Sequence, residues 1–418
     1  MPSVRVSLAI AGFSIALASC GVPSPDPALW QTDLGACPTI ATVEQANPDH
    51  IFVMSSSLPD CRTGAMRFST YRSNRGMTFA QAQLTGPEDE PARTHTTRRF
   101  ADRETWRDAI RKAVSSEGGS SGKLAIYVHG YNNSYEEALR TGEIVRRSFE
   151  YSVPTVVLSW PSRDRGLSYI YDEASLGWAQ QYNSEVLADL AEIASDITLV
   201  SHSMGGRALI QSVLDLDTRY PGRARNVKRL VIASPDVDRH RVLRDGGEID
   251  RLLTFGQPDS TERRDIVVYT SAEDRPIWLS QMAHGYARLG TTQCRYSVDY
   301  ADREVAKSRR QDCHATRFRD NFWIVDTSNS PGPDSDFWRH SDVFESCTGR
   351  ADLRAFLMGR HDVPWRERLD SESYPDWQAT PEWAGRVGWR LVDDPGLQQD
   401  GECVEWMPAG ERTLSATN

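Results

Sequence analysis

Long apolar runs are almost missing from this 418-residue chain. Its mean hydropathy of −0.52 excludes a multi-span membrane protein. Positive charge is not in excess. Against 58 Asp and Glu there are 48 Lys and Arg, a formal charge of −10, so the chain lacks the basic composition that binding nucleic acid requires. There is no long run of one charge, and the acidity serves solubility. No C-x-x-C pair and no His/Cys cluster with zinc spacing occurs, which argues against a structural metal. Internal repeats and low-complexity blocks are also absent. One further absence bears on chemistry. "LVSHSMGGR" has the form of a tight strand-to-helix turn that exposes a serine, yet Ser201 stands where G-x-S-x-G has its first glycine.

The N-terminus departs from this polar background. "MPSVRVSLAIAGFSIALASCG" has one early basic residue, Arg5, then an apolar stretch too short to span a bilayer but with the proportions of a secretory signal. Leu17-Ala18-Ser19-Cys20 resembles the lipobox of bacterial lipoproteins, which implies cleavage before Cys20 and lipidation of its thiol. The expectation is a signal peptide over 1–19, a proline-rich tether over 20–48, and a lipid anchor in the bacterial cell envelope. Gly21 does not look like an inner-membrane retention signal, which favours the periplasmic face of the outer membrane. Six other cysteines remain: Cys37, Cys61, Cys294, Cys313, Cys347 and Cys403. An even number in an exported protein points to disulfides. Proximity along the chain favours Cys37–Cys61, Cys294–Cys313 and Cys347–Cys403.

Beyond residue 50, "HIFVMSS", "AMRFSTYRS" and "MTFAQAQLT" read as short strands. "RETWRDAIRKAVSS" has helical spacing, with Trp106, Ile110 and Val114 on one face. Then apolar runs alternate with helical segments: "KLAIYVHG", "TVVLSWPS", "DITLVSHSMGG", "VKRLVIASPDVD", "DIVVYTSAED" and "NFWIVDTSN". Six such runs indicate a mostly parallel sheet flanked by helices, an α/β fold. Right-handed crossovers then bring His129, Trp160, Ser203, Asp236 and Asp274 to one sheet edge, where sites in such sheets lie.

A serine hydroxyl needs a base to take its proton and an acid to orient that base. A tight strand-to-helix turn exposes the hydroxyl and aims backbone N–H groups at the developing oxyanion. Gly205 and Gly206 provide the small residues after Ser203, and Ser201 exceeds glycine by one hydroxymethyl group. Equally, a serine there is a common helix N-cap for "RALIQSVLDL". "HGYNN" after the first run is either the second oxyanion element or an Asn-rich turn. The natural oxyanion donors are the amides of Tyr131 and Met204.

Taken together, "HGYNNSYEEALRTGEIV", "VVLSWPSRDRGLSYIYDEASLGWAQ", "LVSHSMGGRALIQ", "ASPDVD" and "YTSAEDRPIWLSQMAHGYARLG" resemble one branch of the α/β-hydrolase superfamily. This branch is an esterase/lipase-like bacterial family of largely unassigned activity, and the likeness spans about Lys123 to His340. It implies a hydrolase domain over 49–349 and leaves 350–418 as a C-terminal extension, the terminal segments carrying the disulfides expected from the cysteine count. It also implies the triad order serine, acid, histidine. Ser203 is then the nucleophile, Asp274 the acid with Asp236 and Asp238 as alternatives, and His340 the base with His361 as second choice. His202, His240, His284 and His314 are read as structural or surface groups. Trp160 and Pro161 line an acyl pocket or pack, and Tyr169, Tyr171 and Trp178 form a lid or pack. The implied reaction is cleavage of an ester or related acyl bond of a small molecule or lipid, without metal or organic cofactor. A non-catalytic envelope binding protein on the same fold and an acyltransferase stay open as alternatives.

Overall fold

Alternation of buried side chains shows how the chain builds its sheet. A computed structural model describes residues 27–85, 94–115, 122–149, 152–163, 168–291, 316–330, 338–370, 386–399 and 402–404. The first hundred residues supply β1 (Thr39–Ile40), β2 (Ile51–Ser55), β3 (Ser57–Asp60), β4 (Arg67–Arg72), β5 (Thr78–Thr85) and β6 (Thr94–Phe100). The middle supplies β7 (Lys123–Val128), β8 (Thr155–Ser159), β9 (Asp196–His202), β10 (Val227–Ala233) and β11 (Asp265–Thr270). β12 (Thr316–Arg317), β13 (Phe322–Asp326), β14 (Arg366–Leu369) and β15 (Arg386–Leu391) follow.

Thirteen of these strands form one sheet in the order β1-β6-β5-β2-β8-β7-β9-β10-β11-β13-β15-β12, with β14 on β15. From β2 to β13 every neighbouring pair is parallel. β5 pairs antiparallel with β2 and β6. The six central runs are apolar on both faces because helices cover both. On one face Phe52, Ile126, Val156, Leu199, Ile232 and Val268 meet helices Arg103–Val114, Tyr169–Ile193 and Gly205–Arg219. On the other, Val53, Tyr127, Val157, Val200, Val231 and Val267 meet helices Tyr135–Ser148 and Cys347–Leu357. Each such side chain contributes about 1.5–3 kcal/mol on burial.

The sheet is wider than the six central runs of the sequence. Its additions are short or polar, "THTTRRF" in β6 and "RERL" in β14, and so carry no apolar run. The tether expected over 20–48 belongs, from Pro27 onward, to the folded unit: Leu29, Cys37 and Ile40 are buried and β1 pairs with β6. Likewise, the boundary expected at 349 falls inside helix Cys347–Leu357, and β14 and β15 continue the main sheet. Disulfides Cys37–Cys61 and Cys347–Cys403 close as chain proximity favours. Cys20, Cys294, Cys313 and His314 lie outside the described residues.

Candidate functional site

β9 ends at His202, and the next residue turns sharply. Ser203 adopts φ 53, the left-handed region that costs a non-glycine residue strain. The turn is pinned by backbone bonds from Ser203 N to Ala233 O (2.9 Å), Gly206 N to Ser203 O (3.0 Å) and Asp236 N to Ser203 O (3.2 Å). Gly205 opens helix Gly205–Arg219, and a Cβ there would lie 2.5 Å from the His129 carbonyl oxygen and 2.7 Å from that of Val128. A Cβ on Gly130 would come within 2.7 Å of Ser203 Cβ. The small residues are therefore required by close approach of the β7 end to the elbow. Ser201 is fully buried in β9, its Oγ 3.4 Å from Val231 O on β10. Its hydroxyl has a partner, so the position does not demand glycine.

Asp274 ends the turn after β11 and caps helix Arg275–His284, its Oδ1 accepting from Ile277 N at 2.9 Å. Its Oδ2 accepts from His340 Nδ1 at 2.8 Å. Ser234, itself at φ 43 after β10, also bonds the Asp274 carboxylate. Burial pushes the Asp274 carboxyl up from its usual range, opposed by the neighbouring His340. Burial works against a charge on His340, but Asp274 outweighs it and raises the imidazole. With Nδ1–H donated to Asp274, Nε2 of the neutral ring carries the lone pair.

The segment bearing His340 is held on both sides. Arg339 makes a forked contact with Asp342 and donates to Ser328 O (3.0 Å). His202, immediately before Ser203, donates from Nε2 to the His340 carbonyl (3.0 Å), and the two rings lie 4.5 Å apart. Burial and the adjacent His340 push His202 down to about 3, so it is a neutral clamp between elbow and His340. The structure thus brings Ser203, His340 and Asp274 to one neighbourhood.

"HGYNN" and "SWPS" lock to each other. His129 Nδ1–H donates to Gly130 O (2.9 Å), and its Nε2 accepts from Trp160 N (3.1 Å). Trp160 Nε1 donates back to His129 O (3.0 Å), and the rings stack at 4.9 Å. Burial holds His129 at about 4, hence neutral. Trp160 is accordingly a fully buried packing residue. Asn132, at φ 56, donates its N–H to Asp172 Oδ2 (3.3 Å), which also accepts from Ser162 Oγ (2.5 Å). Asp172 Oδ1 accepts from Arg163 N (2.9 Å). Asp172 sits in the first turn of helix Tyr169–Ile193, so a buried carboxylate fastens this helix to the Tyr131 loop. Sequence reasoning missed it, because its partners lie in separate segments. The Tyr131 ring packs edge-on against Tyr169 (5.4 Å), and Met204 is the cap residue of helix Gly205–Arg219.

Asp236 is occupied differently. Its carboxylate accepts from Tyr169 OH (2.5 Å), Ser280 Oγ (2.6 Å) and Arg207 Nη2 (3.2 Å), with Arg288 Nε 3.2 Å away. Burial disfavours its charge, yet Arg207 and Arg288 hold it below the usual carboxylate range. Asp238 caps helix Arg239–Leu243 through Arg241 N (3.0 Å). Among the described residues neither accepts a hydrogen bond from a histidine, and Asp236 acts on His340 through its charge alone. His361 stacks on Trp323 (4.2 Å) near Asp265, at the opposite end of the strands. His240 lies in helix Arg239–Leu243, and His284 bonds Ser280 O (2.9 Å). Among the described residues, no group of three or more His, Cys, Asp or Glu could hold a metal ion.

A parallel sheet with a strained serine elbow after its central strand and an Asp–His pair at the next strand ends defines an α/β hydrolase. The chain belongs to the family of alpha/beta hydrolases of unknown function DUF900, whose model matches residues 103–311. No curated protein matches the chain. Among solved structures it is similar to phospholipase PlaB from Legionella pneumophila, at 12% identity over 65% of this chain and 67% of that one (TM-score 0.29). A lipase/esterase from Lactobacillus plantarum is similar at 13% identity over 53% and 84% (TM-score 0.24). An esterase from Pyrobaculum calidifontis is similar at 13% identity over 50% and 67% (TM-score 0.24).

Proposed function

We propose that this protein is a serine hydrolase that cleaves a carboxylic ester or related acyl bond through a covalent acyl-enzyme. The observation that carries the reading is the Asp274–His340 hydrogen bond, clamped through His202 to the strained Ser203 elbow. His340 Nε2 takes the proton of Ser203 Oγ as that oxygen attacks the substrate carbonyl carbon. The carbonyl oxygen becomes an oxyanion, held by the amides of Tyr131 and Met204. When the tetrahedral intermediate collapses, His340 gives its proton to the departing alkoxide. Water then repeats the sequence on the acyl-serine, with His340 again as base, and releases the acid. Asp274 keeps Nδ1 protonated and stabilises the imidazolium formed in both halves.

The N-terminal sequence supports a location in this reading. A lipid on Cys20 would hold the enzyme at the bacterial envelope, on the periplasmic face of the outer membrane.

A fluorophosphonate probe tests the chemistry, because it reacts with an activated serine. The wild type labels on Ser203, and Ser203→Ala does not label and loses on the order of a million-fold in turnover. A folded wild type that takes up no probe would instead identify a non-catalytic binding protein.

A further inference from the structure

Six of the ten exposed large apolar side chains among the described residues belong to three segments around the candidate site: Ile170, Trp278, Leu279, Met282, Tyr286 and Trp338. Their placement follows from an unusual helix. Helix Arg275–His284 begins at Asp274, at the carboxyl end of β11. The chain after it returns to the same edge, where Ser271 N bonds Gly290 O (3.0 Å) and Leu289 N bonds Val237 O (2.9 Å). Both ends of the helix are thus fixed at the strand-carboxyl edge, and the helix lies across it. Ile277, Ser280 and Gln281 face inward, while Trp278, Leu279 and Met282 face out. Trp338 joins them, its carbonyl accepting from Arg275 N (3.1 Å) two residues before His340. Apolar side chains this exposed and this clustered mark a binding surface, and Trp and Tyr suit a boundary between water and lipid.

The N-terminal end of the described chain lies at the same edge. β2 ends there, and residues 56–77 form an excursion beyond it before β5 pairs back at Ser55↔Thr78. Arg75, in the turn that leads into β5, donates to the carbonyls of Trp30 and Thr32, both at 2.7 Å. The first turn of helix Tyr169–Ile193 spans the two features, with Tyr171 OH on Thr70 O (2.9 Å) and Tyr169 OH on Ser280 Oγ (3.3 Å). Cys20 precedes Pro27 by seven residues, a reach of at most about 25 Å.

We propose that the strand-carboxyl edge docks on a phospholipid bilayer through the Trp278, Leu279, Met282, Tyr286 and Trp338 surface. The substrate is then an ester resident in that bilayer. The docking claim stands on the surface and the chain path; the substrate claim rests on the hydrolase reading. A lipid on Cys20 would hold this edge within reach of the membrane, and the candidate site would open toward its substrate.

Two measurements on the full chain separate the claims. Phosphatidylethanolamine/phosphatidylglycerol vesicles containing brominated acyl chains quench tryptophan emission of the bound wild type. The Trp278→Phe/Trp338→Phe variant loses most of that quenching. Unchanged quenching in this variant would place the bilayer elsewhere and overturn the docking claim, whether or not the protein is an enzyme. Leu279→Glu/Met282→Glu, changed only at exposed positions, hydrolyses a long-chain fluorogenic ester in the same vesicles at least about ten-fold more slowly. Its fluorophosphonate labelling and its turnover of a soluble short-chain ester stay within about two-fold of wild type. Equal loss on both esters, or loss on neither, would overturn the substrate claim. A wild type inert toward probe and both esters would sink the hydrolase reading and leave the quenching result to stand alone.

Discussion

Asp236 and Asp274 follow the neighbouring strands β10 and β11, and both are buried, yet their surroundings make them opposite kinds of group. Asp236 faces two arginines, a tyrosine and a serine, which together compensate its charge and hold its pKa down. Asp274 has backbone and serine donors and pairs with one ionisable group, His340, among the described residues, and burial leaves its pKa raised. A carboxylate already neutralised by fixed cations has little left to offer a proton-transfer partner. One whose available counter-charge is an imidazolium favours formation of that imidazolium. Position at a strand end makes an acid available, and its partners decide its use.

The largest effect that sharpens this contrast is in turnover. Asp274→Asn leaves the fold in place but lowers kcat by about 10⁴-fold, as expected when the histidine loses its orienting anion. It also moves the pH profile. In the proposed mechanism His340 must be neutral to take the Ser203 proton, and Asp274 raises its pKa, so the acid limb of kcat/KM lies above the ordinary histidine value of about 6.5. Without the Asp274 charge that limb shifts to lower pH. A limb that stays put would separate Asp274 from the titrating base.

Asp236→Asn gives the next effect, in stability. It leaves Arg207 and Arg288 without their buried anion and costs about 3–5 kcal/mol in denaturant unfolding. Because the folded pKa of Asp236 is depressed, its stabilisation is present above the unfolded value of about 3.9 and is lost as pH falls through the folded one. The difference between wild type and Asp236→Asn therefore narrows in acid. His340 has the opposite sign: its contribution is present below the unfolded pKa and fades as pH rises through the raised folded value. The smallest effect belongs to Asp238, whose role is the cap on Arg241 N. Asp238→Ala costs about 1 kcal/mol and leaves turnover unchanged.

The same contrast marks what was legible in the sequence. The six central strands stand out because they are apolar on both faces, Ser203 and Asp274 because each ends such a strand, and His340 because the triad order implied by the superfamily resemblance asks for a histidine after the last one. Asp236 was equally visible as a strand-end acid. Its arginine and tyrosine partners come from positions 169, 207 and 288, and no local pattern announces them. Asp172 was hidden for the same reason, inside a helical stretch read for its aromatics. The objection raised by Ser201 disappears in three dimensions. The crowding that demands glycine comes from the β7 end at Gly130 and Gly205, whereas Ser201 reaches sideways to Val231 O. β6 and β14 escaped notice because their sequences, "THTTRRF" and "RERL", carry no apolar run.

The most direct test of the central claim is the rate of fluorophosphonate labelling of Ser203 in folded Asp274→Asn and Asp236→Asn, compared at equal folded fraction. The assignment of Asp274 to the His340–Ser203 pair predicts a loss of several orders of magnitude in Asp274→Asn and a rate near wild type in Asp236→Asn. Slow labelling of Asp236→Asn beside normal labelling of Asp274→Asn would contradict it and make Asp236 the acid.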